Sequence, residues 1–207
     1  MIVSKLFRTL SALAFAAICT PLLAQAPAAK PAAAPAAAAA SEAPRVQFKT
    51  SMGNITVELD PKAAPTSVAN FLRYVDDKHY DGTIFHRVIG SFMIQGGGFM
   101  PSMREKETRP PIKLESGNGL SNVRGTIAMA RTNVPDSATA QFFINVVDNL
   151  RLDKAQASDG NGYAVFGRVI EGMDTVDKIR AVQTTTRGFY QNVPETPVVI
   201  ESARRVK

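Results

Sequence analysis

The sequence predicts a mainly β domain, a barrel or sandwich with helical caps. Three observations carry that expectation. Short apolar segments recur between residues 45 and 207, punctuated by Gly, Pro and Asn as strands separated by turns should be. Only two segments show helical periodicity. No internal repeat is evident. Many strands with two helices fit β layers capped by helices.

The chain has 207 residues, enough for one domain with extensions. Its first 26 residues read as a signal peptide. Lys5 and Arg8 form a basic start, Thr9 to Leu23 is dominated by Leu, Ala, Phe and Ile, and Ala24-Gln25-Ala26 supplies small residues at cleavage-site spacing. That apolar run is shorter than the about 20 residues of a membrane span. Export, to a bacterial periplasm, is therefore expected, with no stable membrane insertion after cleavage. Cys19 falls inside the signal, so the mature chain has no cysteine and no disulfide. Residues 27–44 are nearly all Ala and Pro; Pro27, Pro31 and Pro35 break helix and favour a semi-stiff spacer. The folded domain is expected over 45–207.

Within it, Asn54–Leu59 alternates as a strand. Pro65–Val75 follows as an amphipathic helix, with Val68, Phe71, Leu72 and Val75 on one face and Thr66 or Ser67 as its cap. Strands are expected at Thr83–Val88, Phe92–Gly96, Thr126–Met129, Gln141–Ile144 and Ala164–Val169. A second helix starts near Asp174 and turns Val176, Ile179 and Val182 inward, and Val198–Val206 is the last strand. If Thr83–Val88 and Phe92–Gly96 pair about Ser91, Arg87 and Gln95 project from one face with Met93 beside them. Alternation sends Gln141 and Phe143 to one face and Phe142 to the other, and gives His86 the parity opposite to Arg87. An arginine among apolar strand neighbours needs partners or a purpose.

Several chemistries are excluded. The formal net charge of +6 is scattered and mixed with acids, with no aromatic-rich basic stripe for nucleic acid. Gly96-Gly97-Gly98 lacks phosphate-loop spacing and is expected to permit a bulge or close backbone approach. His79 and His86 have no mature cysteine or carboxylate cluster with which to bind metal. Ser121 and Ser137 lack a base, while Asp148 and Asp153 flank a loop that they would cap.

Phe85-His86-Arg87-Val88-Ile89 with Phe92-Met93-Ile94-Gln95-Gly96-Gly97 resembles the catalytic hairpin of the cyclophilins, the peptidyl-prolyl cis-trans isomerases. Gly125–Ala130, Asp136–Ile144 and Tyr163–Val169 resemble three further blocks of that family in the same order, nearest to its exported bacterial members. The resemblance implies a closed eight-stranded antiparallel β-barrel capped by two α-helices, with a groove on its outer wall. It implies that Arg87 is the catalytic arginine, assisted by Gln95. Phe92, Met93, Phe143 and Leu152 would line the proline pocket, Ala130 and Gln141 would border the groove, and Tyr163 would stand where many members carry His. It implies no cofactor and no metal. The expected partners are unfolded or partly folded proline-containing polypeptides, bound by a monomer. Arg151 stands where many relatives have Trp, putting cyclosporin binding in doubt, and Arg131 and Thr132 depart at the groove rim. The competing function class is a noncatalytic proline-peptide-binding chaperone module, against which the complete set Arg87, Phe92, Met93, Gln95 and Phe143 argues.

Overall fold

The computed structural model describes residues 43–207. The expected signal peptide and all but the last two residues of the Ala/Pro spacer lie outside the described residues. Among the described residues no helix is long and apolar enough to cross a membrane.

The elements run β1 (Arg45–Thr50), β2 (Gly53–Leu59), α1 (Pro65–Asp76), β3 (Phe85–Ile89), β4 (Met93–Gly96), β5 (Thr126–Met129) and β6 (Phe142–Asn145). A single 3-10 turn, Leu150–Leu152, precedes β7 (Val165–Glu171), α2 (Met173–Arg180), β8 (Thr184–Arg187), β9 (Tyr190–Pro194) and β10 (Ile200–Val206). Eight strands form one curled sheet in the order β10-β1-β2-β7-β5-β6-β4-β3, and β8 with β9 makes a separate hairpin.

The sheet is open, which corrects the expectation of a closed barrel. Its edge strands β10 and β3 are not joined by a ladder; they meet at one antiparallel bridge, Ile84 with Val199. Beyond that bridge β9, not β10, lies alongside β3. Three strands lie outside those expected from the sequence. β1 carries a plain alternation, with Val46 and Phe48 fully buried. The β8–β9 hairpin has no apolar alternation to betray it.

The core fills the inside of the curl. Phe48 stacks on Phe142 with ring centroids 5.1 Å apart, and Phe71 of α1 lies 5.1 Å from Phe166. Val68, Phe71, Leu72 and Val75 are all buried, as the period requires. The expected Thr/Ser cap is not used, however. Pro65 starts α1, and the carboxylate of Glu115 accepts hydrogen bonds from the Thr66 and Ser67 amides at 2.9 and 2.8 Å. In α2, Val176 and Ile179 face inward, with Val182 packed just past its end. A second, smaller apolar cluster forms on the outer face of the sheet around Met93, Ala128, Phe143 and Val165. This cluster positions the site.

Candidate active site

Arg87 and Gln95 are direct partners across the β3–β4 ladder, and Gln95 in turn pairs with Phe143 of β6. The alternation in β4 and β6 sends Ile94 and Ile144 to the core, leaving Met93 and Phe143 on the outer face. One polar chain crosses three strands. Arg87 Nη1 donates to Gln95 Oε1 at 3.4 Å, Gln95 Nε2 donates to Gln141 Oε1 at 2.9 Å, and Gln141 Nε2 reaches Glu105 Oε1 at 3.5 Å. Gly98 makes room for this chain, because a Cβ there would lie 2.6 Å from the Gln141 side chain. Among the described residues no carboxylate lies within ion-pair distance of Arg87, which is half-buried.

These groups surround a cavity of about 100 Å³. Arg87, Gln95 and Ala130 stand at one side, Phe92, Met93, Phe143 and Leu152 form its apolar wall, and Tyr163 with Arg131 completes it. Eight of the nine residues expected from the sequence therefore line one cavity. The ninth, Gln141, lines an adjoining cavity of about 610 Å³ that shares Arg87, Gln95, Ala130 and Arg131 with the first. A larger recess of about 850 Å³ opens elsewhere, beside Asp60, Leu120 and Arg168. Size does not make it the site: Arg168 is already spent on Glu58 at 2.9 Å, and the recess has none of the Arg87–Gln95 pairing.

His86 corrects the parity expectation. The pairing of β3 with β4 slips by one residue between Phe85 and Arg87, so His86 is the extra residue of a β-bulge. It therefore lines the same cavity as Arg87 instead of turning to the opposite face. Its ring packs 4.6 Å from Phe99, and burial, helped by the Arg87 charge, lowers its pKa to about 4.

Other groups complete the site, among them Arg131 and Arg151, which the sequence marked only as departures from the family pattern. The Arg131 side chain is only 2% exposed; it donates to the Gly162 carbonyl at 2.8 Å, pairs with Asp159 and lies 4.5 Å over the Tyr163 ring. Backbone amide bonds from Gly162, then Arg131 and the Asn161 amide, hold the Asp159 carboxyl well below its usual range. Tyr163 meets Phe143 edge-on at 5.6 Å, so the clamp fixes one wall of the cavity. Arg151 lies 4.9 Å over Phe92, where a cation covers the aromatic face. Beneath them runs a buried amide network. Asn149 Nδ2 donates to the Phe92 carbonyl and to Asn145 Oδ1, both at 2.8 Å, and Asn145 Nδ2 donates to Thr126 Oγ1 at 2.9 Å. The sequence signal was present: three asparagines, 122, 145 and 149, beside apolar runs must find partners if buried. Asp148 and Asp153 do not cap their own loop; they accept from the Arg124 and Asn122 amides instead. Ser137 accepts from the Thr132 amide and donates to the Val134 carbonyl, the bonding of a turn and not of a nucleophile.

The site is an apolar cavity on the outer face of a curled β-sheet, with a cationic fork among its lining residues. Comparison with known proteins narrows this. Residues 45–205 match the family described as cyclophilin type peptidyl-prolyl cis-trans isomerase/CLD. The chain is 57% identical over 162 residues to peptidyl-prolyl cis-trans isomerase A of Dickeya dadantii, covering 78% of this chain and 84% of that one. It is 54% identical over 158 residues to peptidyl-prolyl cis-trans isomerase B of Escherichia coli, covering 76% and 96%. A cyclophilin-type isomerase of Cryptosporidium parvum, crystallised in the presence of the dipeptide Ala-Pro, superposes with a TM-score of 0.68 at 25% identity, covering 79% of this chain and 99% of that one. The chain belongs to the cyclophilin-type peptidyl-prolyl cis-trans isomerases, and its activity is prolyl isomerisation.

Proposed function

We propose that the Arg87 cavity is the isomerase centre and that its clients are proline-containing polypeptides folding after export. Peptide rotation meets a barrier of about 18–20 kcal/mol because C–N resonance must be broken. A rate gain of about 10⁵ needs roughly 7 kcal/mol of transition-state stabilisation. No bond need be made or broken. As the X-Pro bond twists, the proline nitrogen pyramidalises and its lone pair localises. The Arg87 guanidinium stabilises that twisted state more than either planar one. Phe92, Met93, Phe143 and Leu152 grip the pyrrolidine ring, Gln95 orients Arg87 and the substrate backbone, and Ala130, Gln141 and Tyr163 border the path of the chain.

One observation supports this reading most. Arg87, half-buried at the cavity mouth, has an amide oxygen as its hydrogen-bond partner and no carboxylate, so its charge is left for a ligand. The test is a protease-coupled assay on an Ala-Pro peptide. Arg87→Ala is expected to keep the fold and lose about 10²–10³-fold in kcat/KM, the range for removing one preorganised donor. Turnover near wild type in a folded Arg87→Ala protein overturns the mechanism. Export rests on the basic, apolar and small-residue pattern of residues 1–26. Mass spectrometry of the exported protein should find Pro27 at the mature N-terminus; a retained Met1 contradicts it. Clients would be bound by a monomer without nucleic acid.

A further inference from the structure

Two guanidiniums stand over aromatic walls of the Arg87 cavity, and only one of them is satisfied. Arg131, over Tyr163, is buried and spent on Asp159 and the Gly162 carbonyl. Arg151, over Phe92 at 4.9 Å, is exposed, and among the described residues no carboxylate lies within ion-pair distance of it. Two acids bracket it in sequence, yet both are committed elsewhere. Asp148 accepts from the Arg124 amide at 2.8 Å, and Asp153 from the Asn122 amide and side chain at 2.7 and 2.9 Å. The ring attracts the cation without neutralising it. Its place is fixed. Arg151 is the middle residue of the 3-10 turn Leu150–Leu152, whose last residue lines the cavity. The Leu152 amide closes the turn on the Asn149 carbonyl at 2.8 Å, and the Asn149 side chain donates to the Phe92 carbonyl at 2.8 Å. One asparagine therefore ties the turn that carries Arg151 to the ring that Arg151 covers.

We infer that Arg151 is a specificity-determining residue, selecting clients that carry Asp or Glu within two residues of the proline. The inference rests on the reading of the Arg87 cavity as the proline site. Phe92 belongs to the cavity wall and Arg151 does not, so the free cation stands just outside the proline position. An extended chain advances about 3.3 Å per residue. A carboxylate one or two residues from a proline held against Phe92 therefore reaches the guanidinium over that ring. The planar fork of arginine matches a carboxylate, whereas a client lysine at the same place meets a like charge. An exposed ion pair adds little affinity and is screened by salt. The role of Arg151 is thus to discriminate between clients, not to bind them tightly.

The probe is a set of nonapeptides with a central Ala-Pro in a Gly/Ser frame, each with one Glu or one Lys at a different distance on either side. Affinity is read at low salt by competition against turnover of a short, neutral Ala-Pro substrate. One Glu register within two residues of the proline should bind about three- to fivefold tighter than the uncharged peptide, and Lys in that register should bind more weakly. In 1 M salt, where the Debye length is about 3 Å, the ratio should fall toward one. Arg151→Gln should erase the ratio, Arg151→Lys should keep most of it, and Arg151→Glu should invert the preference toward Lys. A merely structural role for Arg151 would not produce that inversion. The side chain is exposed, so folding is not at stake. Equal affinity of the Glu, Lys and uncharged peptides for wild type overturns the inference. So does a Glu preference that survives Arg151→Gln, because the charge being read then belongs to Arg87 or Lys154. Failure of the Arg87 reading would show separately, as retained turnover in Arg87→Ala, whereas Arg151 is judged on affinity ratios.

Discussion

His86 stands beside Arg87 and has a different task. It is 5% exposed, its Nδ1 is buried without a protein partner among the described residues, and its ring lies against Phe99. Burial leaves the protonated ring poorly solvated, and its charge would also stand next to Arg87, which is why its pKa falls to about 4. The folded protein therefore binds fewer protons than the unfolded chain between about pH 6.5 and 4. Stability is complete above that window and is lost as pH falls through it. The loss attributable to His86 is about 2 kcal/mol by pH 5, at 1.36 kcal/mol per pKa unit. Urea titrations of His86→Gln at pH 7 and pH 5 should show a much smaller fall than wild type. His79, also lowered by burial and then by Lys106, leaves a residual slope of the same sign. Equal slopes in wild type and variant rule this account out. Period-two parity placed Arg87, Met93, Gln95 and Phe143 on their shared face from sequence alone. It misplaced His86 because a bulge adds one residue without any compositional mark. The Phe85-His86-Arg87 triplet reads the same with or without it.

At the scale of elements, what could be read was whatever repeats locally. The 3.6-residue period of α1 and the alternation of β2 lie within a dozen residues. The α1 cap does not. It comes from Glu115, 48 residues beyond Ser67, whose amide and hydroxyl both donate to Oε2. The carboxylate also faces the positive end of the helix dipole. Burial would raise its pKa, but the bonds from Ser67 and Thr66 outweigh that and hold it below its usual value. Glu115→Ala should cost about 1 kcal/mol, typical of a lost cap, and lower Tm by about 2–4 °C. Glu115→Gln keeps an acceptor and should lose less. Because the folded pKa is depressed, the charged cap contributes above the ordinary carboxylate range and fades as pH falls through the folded value. The Tm difference between wild type and Glu115→Gln should therefore shrink below about pH 4, the unperturbed range for Glu. A difference constant with pH would mean that the charge contributes nothing.

The curl of the whole sheet decides how firmly Arg87 is held. Its strand, β3, is an edge, and edges fray unless something takes their free hydrogen bonds. β4 occupies one side. On the other, the Phe85 amide donates to the Val198 carbonyl at 3.0 Å, Ile200 to Thr83 at 2.7 Å and Gly82 to Ile200 at 2.8 Å, around the bridge of Ile84 with Val199. No periodicity in the sequence records where two edges separated by more than a hundred residues meet. The family resemblance supplied eight strands and two helices but overstated closure. Phe85 and Ile200 are fully buried, and their amides sit at the seam. If the seam belongs to the cooperative core, both amides exchange with solvent only through global unfolding. Native-state hydrogen exchange should then give them opening free energies equal to the global value and the same dependence on denaturant. Exchange at a lower, denaturant-insensitive free energy would mean that the edges part while the rest stays folded, and Arg87 would then be carried on a strand anchored from one side alone.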